Sequence, residues 1–181
     1  MSFFLKLRHW ELFLMLALPT IMSLMFSIPM KPLVVASIGL FMMLVLFLWM
    51  FSIGSWSNRH LPESRRRSPL PFAVGLAIPI IYVLMYIFLY IPLLEQGGAP
   101  QKPPIWFLPM HMLSMVGIFY GIWYTARQLK SLQQNEEADF MIFSSTFFLL
   151  FIFPLGIWLI QPAVNQLYSQ METTPDNADE N

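Results

Sequence analysis

Long uninterrupted apolar runs are the feature that most constrains how this chain folds. Five of them occur, at about residues 10–30, 33–53, 72–94, 106–125 and 140–160. At about 1.5 Å per residue, a helix of about 20 residues is about 30 Å long, which matches the hydrocarbon core of a bilayer. Each run therefore predicts a transmembrane helix, because in lipid a chain must satisfy its backbone polar groups internally.

The composition supports a membrane protein of the all-α class. Charged residues make up 11% of the chain, whereas a soluble domain carries about 25%. We therefore predict a polytopic helix bundle forming one domain over residues 1–161, with its first apolar run retained as a span. Residues 162–181 form a polar, acidic tail that we expect to be disordered, and Pro162 is expected to end the last helix.

The basic residues predict the orientation of this bundle. With the N-terminus inside, the outer segments contain only Lys31 and Lys102. By the positive-inside rule we expect five spans, the N-terminus inside and the C-terminus outside, with Trp158 near the outer interface. The remaining eight basic residues then lie inside: Lys6, Arg8, Arg59, Arg65, Arg66, Arg67, Arg127 and Lys130. The polar segment 126–139 is expected to extend the fourth span as a helix.

Two clusters suggest sites of interaction. Ser114, Gly117 and Gly121 share a similar face of the fourth span, where small residues allow close helix packing. We expect this packing within the bundle rather than in a dimer. A second cluster in the loop after the second span either binds anionic lipid headgroups or only sets the orientation. It consists of Arg59, Arg65, Arg66 and Arg67.

Other polar features have two interpretations each. His111 is either a proton-responsive or metal-binding group or an ordinary interfacial histidine. The cluster at 144–146 either lines a cavity or bonds to its own helix. Prolines within or near the ends of spans either kink helices or line a transport site. They are Pro19, Pro79, Pro109 and Pro154.

Catalytic patterns are missing from the sequence. There is no cysteine, no HExxH motif and no glycine-rich phosphate loop. The pair Glu136 and Glu137 lacks the arginine expected in an EExxxR motif. We therefore predict no catalytic residue, no cofactor and no metal ion, and the zero net charge predicts no binding to nucleic acid.

The two ends of the chain resemble a family of small multipass proteins of the bacterial inner membrane. Family members share an alanine–basic–x–leucine–lysine–serine segment, matched by residues 126–131, and a final span closing in F-P-x-G-I-W-x-I-Q-P-x-x-N, matched by residues 153–165. The opening LKLRHWELFL is also similar, while the middle is similar only in hydropathy. Ala163 stands where the family has a basic residue. The family has no assigned activity, so the resemblance implies location and architecture only.

These observations favour a non-enzymatic accessory, scaffold or assembly protein whose partners are the lipid bilayer and another membrane protein. The alternative is a small transporter or channel for a small or hydrophobic solute. The prolines and the hydroxyl cluster at 144–146 motivate that alternative.

Overall fold

Helices are the only regular elements in the part of the chain that the computed structural model describes, which is residues 2–26, 31–92 and 104–173. The all-α fold class is thus confirmed for these residues. A 3₁₀ turn covers Glu63–Arg65, and a π-helical segment, Tyr86–Tyr90, continues α4. The α-helices are α1 (Phe3–Lys6), α2 (His9–Met25), α3 (Pro32–His60), α4 (Pro69–Met85), α5 (Phe107–Gln134), α6 (Phe140–Phe151) and α7 (Phe153–Thr173).

Within the described residues, three helical segments are long and apolar enough to cross a membrane. They are α3, α4 with its π-helical continuation (Pro69–Tyr90), and α5. Helices α2 and α6 are apolar but shorter, with 17 and 12 residues. Parts of the first and third predicted spans, residues 27–30 and 93–94, lie outside the described residues.

The contacts divide the chain into two compact units. Unit 1 comprises Met1–Leu14, Leu48–Arg67 and Ile122–Asn181, and unit 2 comprises Met15–Phe47 and Ser68–Gly121. The largest fully buried side chains of unit 1 include Trp49 and Tyr124, and that of unit 2 is Phe72. Each unit therefore contains a fully buried aromatic side chain.

The polar segment predicted to be helical, 126–139, is helical only over residues 126–134. Helix α5 continues to Gln134 and stops at Asn135, whose φ of 52° lies in the left-handed region. Asparagine tolerates this conformation better than most residues, and it commonly follows a helix C-terminus. Asp139 then caps α6 by accepting a hydrogen bond from the amide of Ile142 at 3.1 Å.

The expected last span, 140–160, is not one continuous helix. Helix α6 ends before Ile152, whose φ and ψ of −95° and 65° are not helical, and α7 starts at the next residue. Thr146 and Ala163 line the same small cavity. A continuous helix would separate them by about 25 Å, so the chain reverses at Ile152 and α6 and α7 form a hairpin.

A glycine and a proline allow this reversal. Pro154 is the second residue of α7, where its missing N–H group has no intrahelical acceptor to lose. A Cβ atom added at Gly156 would overlap the carbonyl oxygen of Leu149 in α6. Glycine is therefore the residue that lets the two helix backbones approach at the base of the turn.

One further expectation for the C-terminal region is wrong. Pro162 does not end the helix, because α7 continues to Thr173. Burial of Ile160 and Val164 on either side of Pro162 outweighs the lost backbone hydrogen bond. The Trp158 ring packs beside the N-terminal segment, 4.7 Å from that of His9 and 5.9 Å from that of Phe13. The remaining predicted tail, 174–181, lies outside the described residues.

The other prolines divide into two groups. Pro19 and Pro79 are inside α2 and α4. Pro109 is the third residue of α5, within the first turn, where backbone N–H groups have no intrahelical partner. Only the first two therefore remove a helix hydrogen bond.

Candidate functional site

A buried glutamine ties the N-terminal segment into unit 1. Gln161 is fully buried on α7, and its side-chain oxygen accepts a hydrogen bond from the Trp49 indole N–H at 2.6 Å. Its amide nitrogen donates to the carbonyl oxygens of Phe4 and Leu7, at 2.9 and 2.8 Å. These carbonyls lie where α1 ends, a position that leaves backbone acceptors without helical partners. One side chain thus joins α3, α7 and the N-terminal segment.

Asn165, one turn further along α7, extends this clamp. Its amide nitrogen donates to the carbonyl oxygens of Leu5 at 2.7 Å and Leu7 at 3.1 Å. Lys6 and Glu172 add an exposed ion pair of 3.3 Å between the same two segments. The end of α7 therefore lies against the N-terminal residues, held mainly by amide side chains.

A second buried polar network fixes the basic loop. The Asn58 side chain donates to the carbonyl oxygen of Arg67 at 2.9 Å and accepts from the Arg67 amide at 2.8 Å. The Gln128 amide donates to the same Asn58 oxygen at 3.0 Å. The Tyr124 hydroxyl donates to the Arg67 carbonyl at 3.4 Å. The loop from α3 to α4 is therefore bonded to α3 and α5.

Most arginines of the basic loop bond to other groups of the chain. Arg65 donates to the carbonyl oxygen of Asn135, and Arg66 donates to that of Leu61 at 2.8 Å. Arg59 is exposed and has no hydrogen bond or ion pair within the described residues. Of the predicted lipid-contact residues, Arg59 therefore keeps its guanidinium available.

Arg67 belongs to a charged group around one aromatic ring. The guanidinium carbons of Arg67 and Arg127 lie 5.6 and 5.4 Å from the ring centroid of Trp123. Both guanidinium groups pair with the Glu137 carboxylate, Arg67 at 3.7 Å and Arg127 by direct hydrogen bond. The carboxylate and the ring together screen two like charges from each other.

A polar cavity of about 370 Å³ lies between the C-terminal end of α3 and the end of α7. Its polar lining includes Ser55, Arg59 and His60 from α3 and Glu172 from α7, and Trp56 and Tyr168 contribute aromatic rings whose centroids are 5.5 Å apart. The His60 Nδ1 atom is 2.9 Å from the Trp56 carbonyl oxygen and donates to it in the matching tautomer. The cavity thus brings a cation, hydroxyl groups and an aromatic wall together.

The predicted packing residues of α5 all belong to unit 2. Gly117 faces Gly75 of α4, so closely that a Cβ atom added at Gly117 would overlap the Gly75 carbonyl oxygen. Ser114 is buried and donates to the Met110 carbonyl in its own helix at 2.7 Å. Gly121, the last residue of unit 2, is buried. The close contact through Gly117 is made within this chain.

The other candidates remain ordinary in their surroundings. The His111 ring lies 5.6 Å from that of Tyr82, and the described residues contain no group of three His, Asp or Glu side chains that could hold a metal ion. Ser144 bonds back to the Met141 carbonyl at 3.1 Å. Ser145 and Thr146 line a cavity of about 120 Å³ in unit 1.

Sequence reasoning missed the buried amides as a group. Asn58 and Gln128 lie among other polar residues, and Gln161 directly follows an apolar run, so nothing in the sequence singles them out or identifies their partners. Gln161 and Asn165 are the two polar residues of the segment QPAVN at 161–165. That segment therefore contains the two amide side chains that bind the N-terminal residues.

No protein-family model, no curated protein and no solved structure matches this chain.

Proposed function

We propose that this chain is a multipass protein of the bacterial cytoplasmic membrane that works without catalysis, as an accessory, scaffold or assembly component. Its three long apolar helices support a membrane location. We further propose that the chain is related to the small inner-membrane proteins that both of its ends resemble. This relationship supports a location in the bacterial cytoplasmic membrane.

The proposed topology has both described ends of the chain on the cytoplasmic side. Unit 1 carries eight of the ten lysine and arginine residues, which by the positive-inside rule favours the cytoplasm. The Lys6–Glu172 pair joins the N-terminal segment to the end of α7 within this unit. We infer four crossings, by α2, α3, α4 with its π segment, and α5, followed by the re-entrant hairpin α6–α7. This differs from the five spans and outer C-terminus that the apolar runs predict.

Single cysteines test this topology directly, because the chain has no cysteine of its own. In intact cells, a membrane-impermeant maleimide is expected to label Lys31→Cys and not Ser169→Cys. Labelling of Ser169→Cys is expected only after permeabilisation. Labelling of Ser169→Cys in intact cells would restore an outer C-terminus and refute the re-entrant hairpin.

One observation carries the scaffold role. The buried amides of unit 1 bond to fixed backbone groups, as Gln161 does with Phe4 and Leu7 and Asn58 does with Arg67. Such side chains hold helices in one arrangement, and their hydrogen bonds are already used. Rigid helices with apolar outer faces, such as α5 with exposed Leu108, suit contact with another membrane protein.

Affinity purification in native lipid nanodiscs tests this role. We expect a membrane protein to co-purify at a fixed stoichiometry and to be lost when Gln161→Leu loosens unit 1. Gln166→Leu, an exposed position on the same helix, is the matched control and is expected to keep the partner. Recovery of the wild-type chain alone would count against a scaffold.

The hairpin favours transport as the second candidate function. Re-entrant, broken helices line the sites of many transporters, and Ser145 and Thr146 line the cavity beside this hairpin. In this case Thr146→Cys, although buried in α6, is expected to react with a water-soluble thiol reagent and to be protected by the solute. A lack of reaction in the native protein would indicate a dry hairpin and argue against transport.

A further inference from the structure

The polar cavity at the end of α3 has the size and lining of a ligand site. It measures about 370 Å³ and belongs wholly to unit 1. A water molecule occupies about 30 Å³ in the liquid, so the cavity has room for a phosphate group with a small organic substituent. Leu5 and Met171 supply apolar surface beside the polar groups. A ligand that fits this lining has a charged end and an apolar or neutral part.

A buried hydroxyl without a partner points to that ligand. The Ser55 side chain lines the cavity with only 7% of its surface exposed, and its Oγ atom has no hydrogen-bond partner among the described residues. The neighbouring Ser52 hydroxyl already donates to the Leu48 carbonyl at 2.7 Å. An unpaired buried hydroxyl is costly, and an acceptor placed in the cavity removes this cost.

The charges around the cavity favour an anion. Arg59 lines it and has no ion pair or hydrogen bond in the described chain. Among the described residues that line the cavity, Glu172 is the only acidic one. It pairs with Lys6 at 3.3 Å. In the tautomer whose Nδ1–H donates to the Trp56 carbonyl, the Nε2 atom of His60 is an acceptor, which suits a hydroxyl group of the ligand. One cation is therefore left without a counter-charge.

We propose that this cavity binds a phosphate-bearing ligand with a net negative charge, with the Arg59 guanidinium and the Ser55 hydroxyl holding the phosphate oxygens. A phosphate offers more acceptor oxygens than a carboxylate, and so it can accept from both of these donors at once. The Trp56–Tyr168 wall then contacts the glycerol or sugar part of the ligand.

Two sources can supply this chemistry, the headgroup of an anionic phospholipid and a free phosphate ester. The lipid source rests on the membrane placement proposed above. The free ester does not, because binding in detergent requires neither a bilayer nor a partner protein. Failure of this site and failure of the scaffold role are therefore observed in separate experiments.

Isothermal titration of the full chain in dodecylmaltoside tests the proposal. The probes are dihexanoyl phosphatidylglycerol, dihexanoyl phosphatidylcholine, glycerol 3-phosphate and inorganic phosphate. We expect saturable binding of phosphatidylglycerol, glycerol 3-phosphate or both, well above that of phosphatidylcholine. Arg59→Gln is expected to weaken it about tenfold or more, and Ser55→Ala about threefold or more, as for hydrogen bonds to a charged group.

Matched controls separate the site from general effects. Ser57→Ala also removes a buried hydroxyl without a partner, but Ser57 does not line the cavity. Lys31→Gln removes one positive charge from unit 2. Both are expected to leave the affinity within about twofold of wild type. Arg59→Lys keeps the charge and is expected to retain part of the binding, and it serves if Arg59→Gln fails to fold.

The outcomes decide both the chemistry and the source. Binding of phosphatidylglycerol alone supports a lipid headgroup, and equal binding of glycerol 3-phosphate supports a soluble ester. Equal affinity for phosphatidylcholine and phosphatidylglycerol would overturn the proposal, as would an Arg59→Gln effect no larger than that of Lys31→Gln.

Discussion

Replacement of Gln161 by leucine tests the central clamp of unit 1. Leucine is comparable to glutamine in volume, although it branches one atom earlier, so the substitution removes the amide and largely fills its space. It deletes three hydrogen bonds, one from the Trp49 indole and two to the carbonyl oxygens of Phe4 and Leu7. The Leu7 carbonyl keeps its hydrogen bond from Asn165. The Trp49 N–H and the Phe4 carbonyl lose the hydrogen bonds that Gln161 made with them.

The expected loss of stability follows from these two groups. A buried donor or acceptor left without a partner costs about 1–3 kcal/mol, which gives about 2–6 kcal/mol for the pair. Hydrogen bonds inside membrane proteins average about 0.6 kcal/mol, which gives about 2 kcal/mol for three bonds. We therefore expect Gln161→Leu to lower the free energy of unfolding by about 2–4 kcal/mol.

Unfolding in mixed micelles of dodecylmaltoside and sodium dodecyl sulfate measures this loss. Helix content followed by circular dichroism gives the unfolding midpoint for wild type, Gln161→Leu and the exposed control Gln166→Leu. Trp49→Phe alone and combined with Gln161→Leu completes a double-mutant cycle, for which we expect a coupling energy above about 0.5 kcal/mol. A Gln161→Leu midpoint equal to that of Gln166→Leu would refute the reasoning.

Two further predictions concern the hairpin and the N-terminal ion pair. Gly156→Ala is expected to destabilise the protein by about 1–3 kcal/mol, because the added Cβ atom overlaps the backbone of α6. The control is Gly39→Ala, which has open space around it. In the same unfolding assay it is expected to stabilise α3 by up to about 1 kcal/mol. The hydrogen bond from Tyr168, followed by the ion pair with Lys6, lowers the pKa of Glu172 below its ordinary 4.5. Stability from this group is thus complete above pH 4.5 and is lost as the pH falls through the lowered value. Protease cleavage of the N-terminal segment should therefore accelerate only in acid, and Glu172→Gln should remove that pH dependence; unchanged pH dependence in this variant would contradict the assignment.

The sequence predicts the helical class because the length of an apolar run is a local property. Runs of about 20 residues are visible without any knowledge of neighbours, and so are the helical extension at 126–134 and the small-residue face at Gly117. The end of α5 was not predicted, although Asn135 carries the signal for it. What the runs do not contain is whether each one crosses as a single helix.

The reversal at Ile152 shows why the rest required the tertiary structure. Pro154 and Gly156 permit both a kinked span and a hairpin, and only the packing of α6 on α7 selects the hairpin. Pro162 likewise predicts a helix end by its local chemistry, yet α7 continues because its flanking residues are buried. The free-energy cost of a helix-breaking residue is small compared with the free energy gained when tertiary contacts bury apolar surface.

The apolar runs show that this chain is helical and that its segments are long enough for a membrane, and eight of its ten basic residues lie at 6–8, 59–67 and 127–130. The fold brings Gln161 to Trp49, across 112 positions of sequence, and no local pattern indicates this contact. The fold also decided that Arg59 keeps an open guanidinium while Arg65, Arg66 and Arg67 bond to the chain. The hydrophobicity of a segment is the sum of its own residues, so it is visible in the sequence. A hydrogen bond requires two particular groups about 3 Å apart, and only the folded chain brings them together.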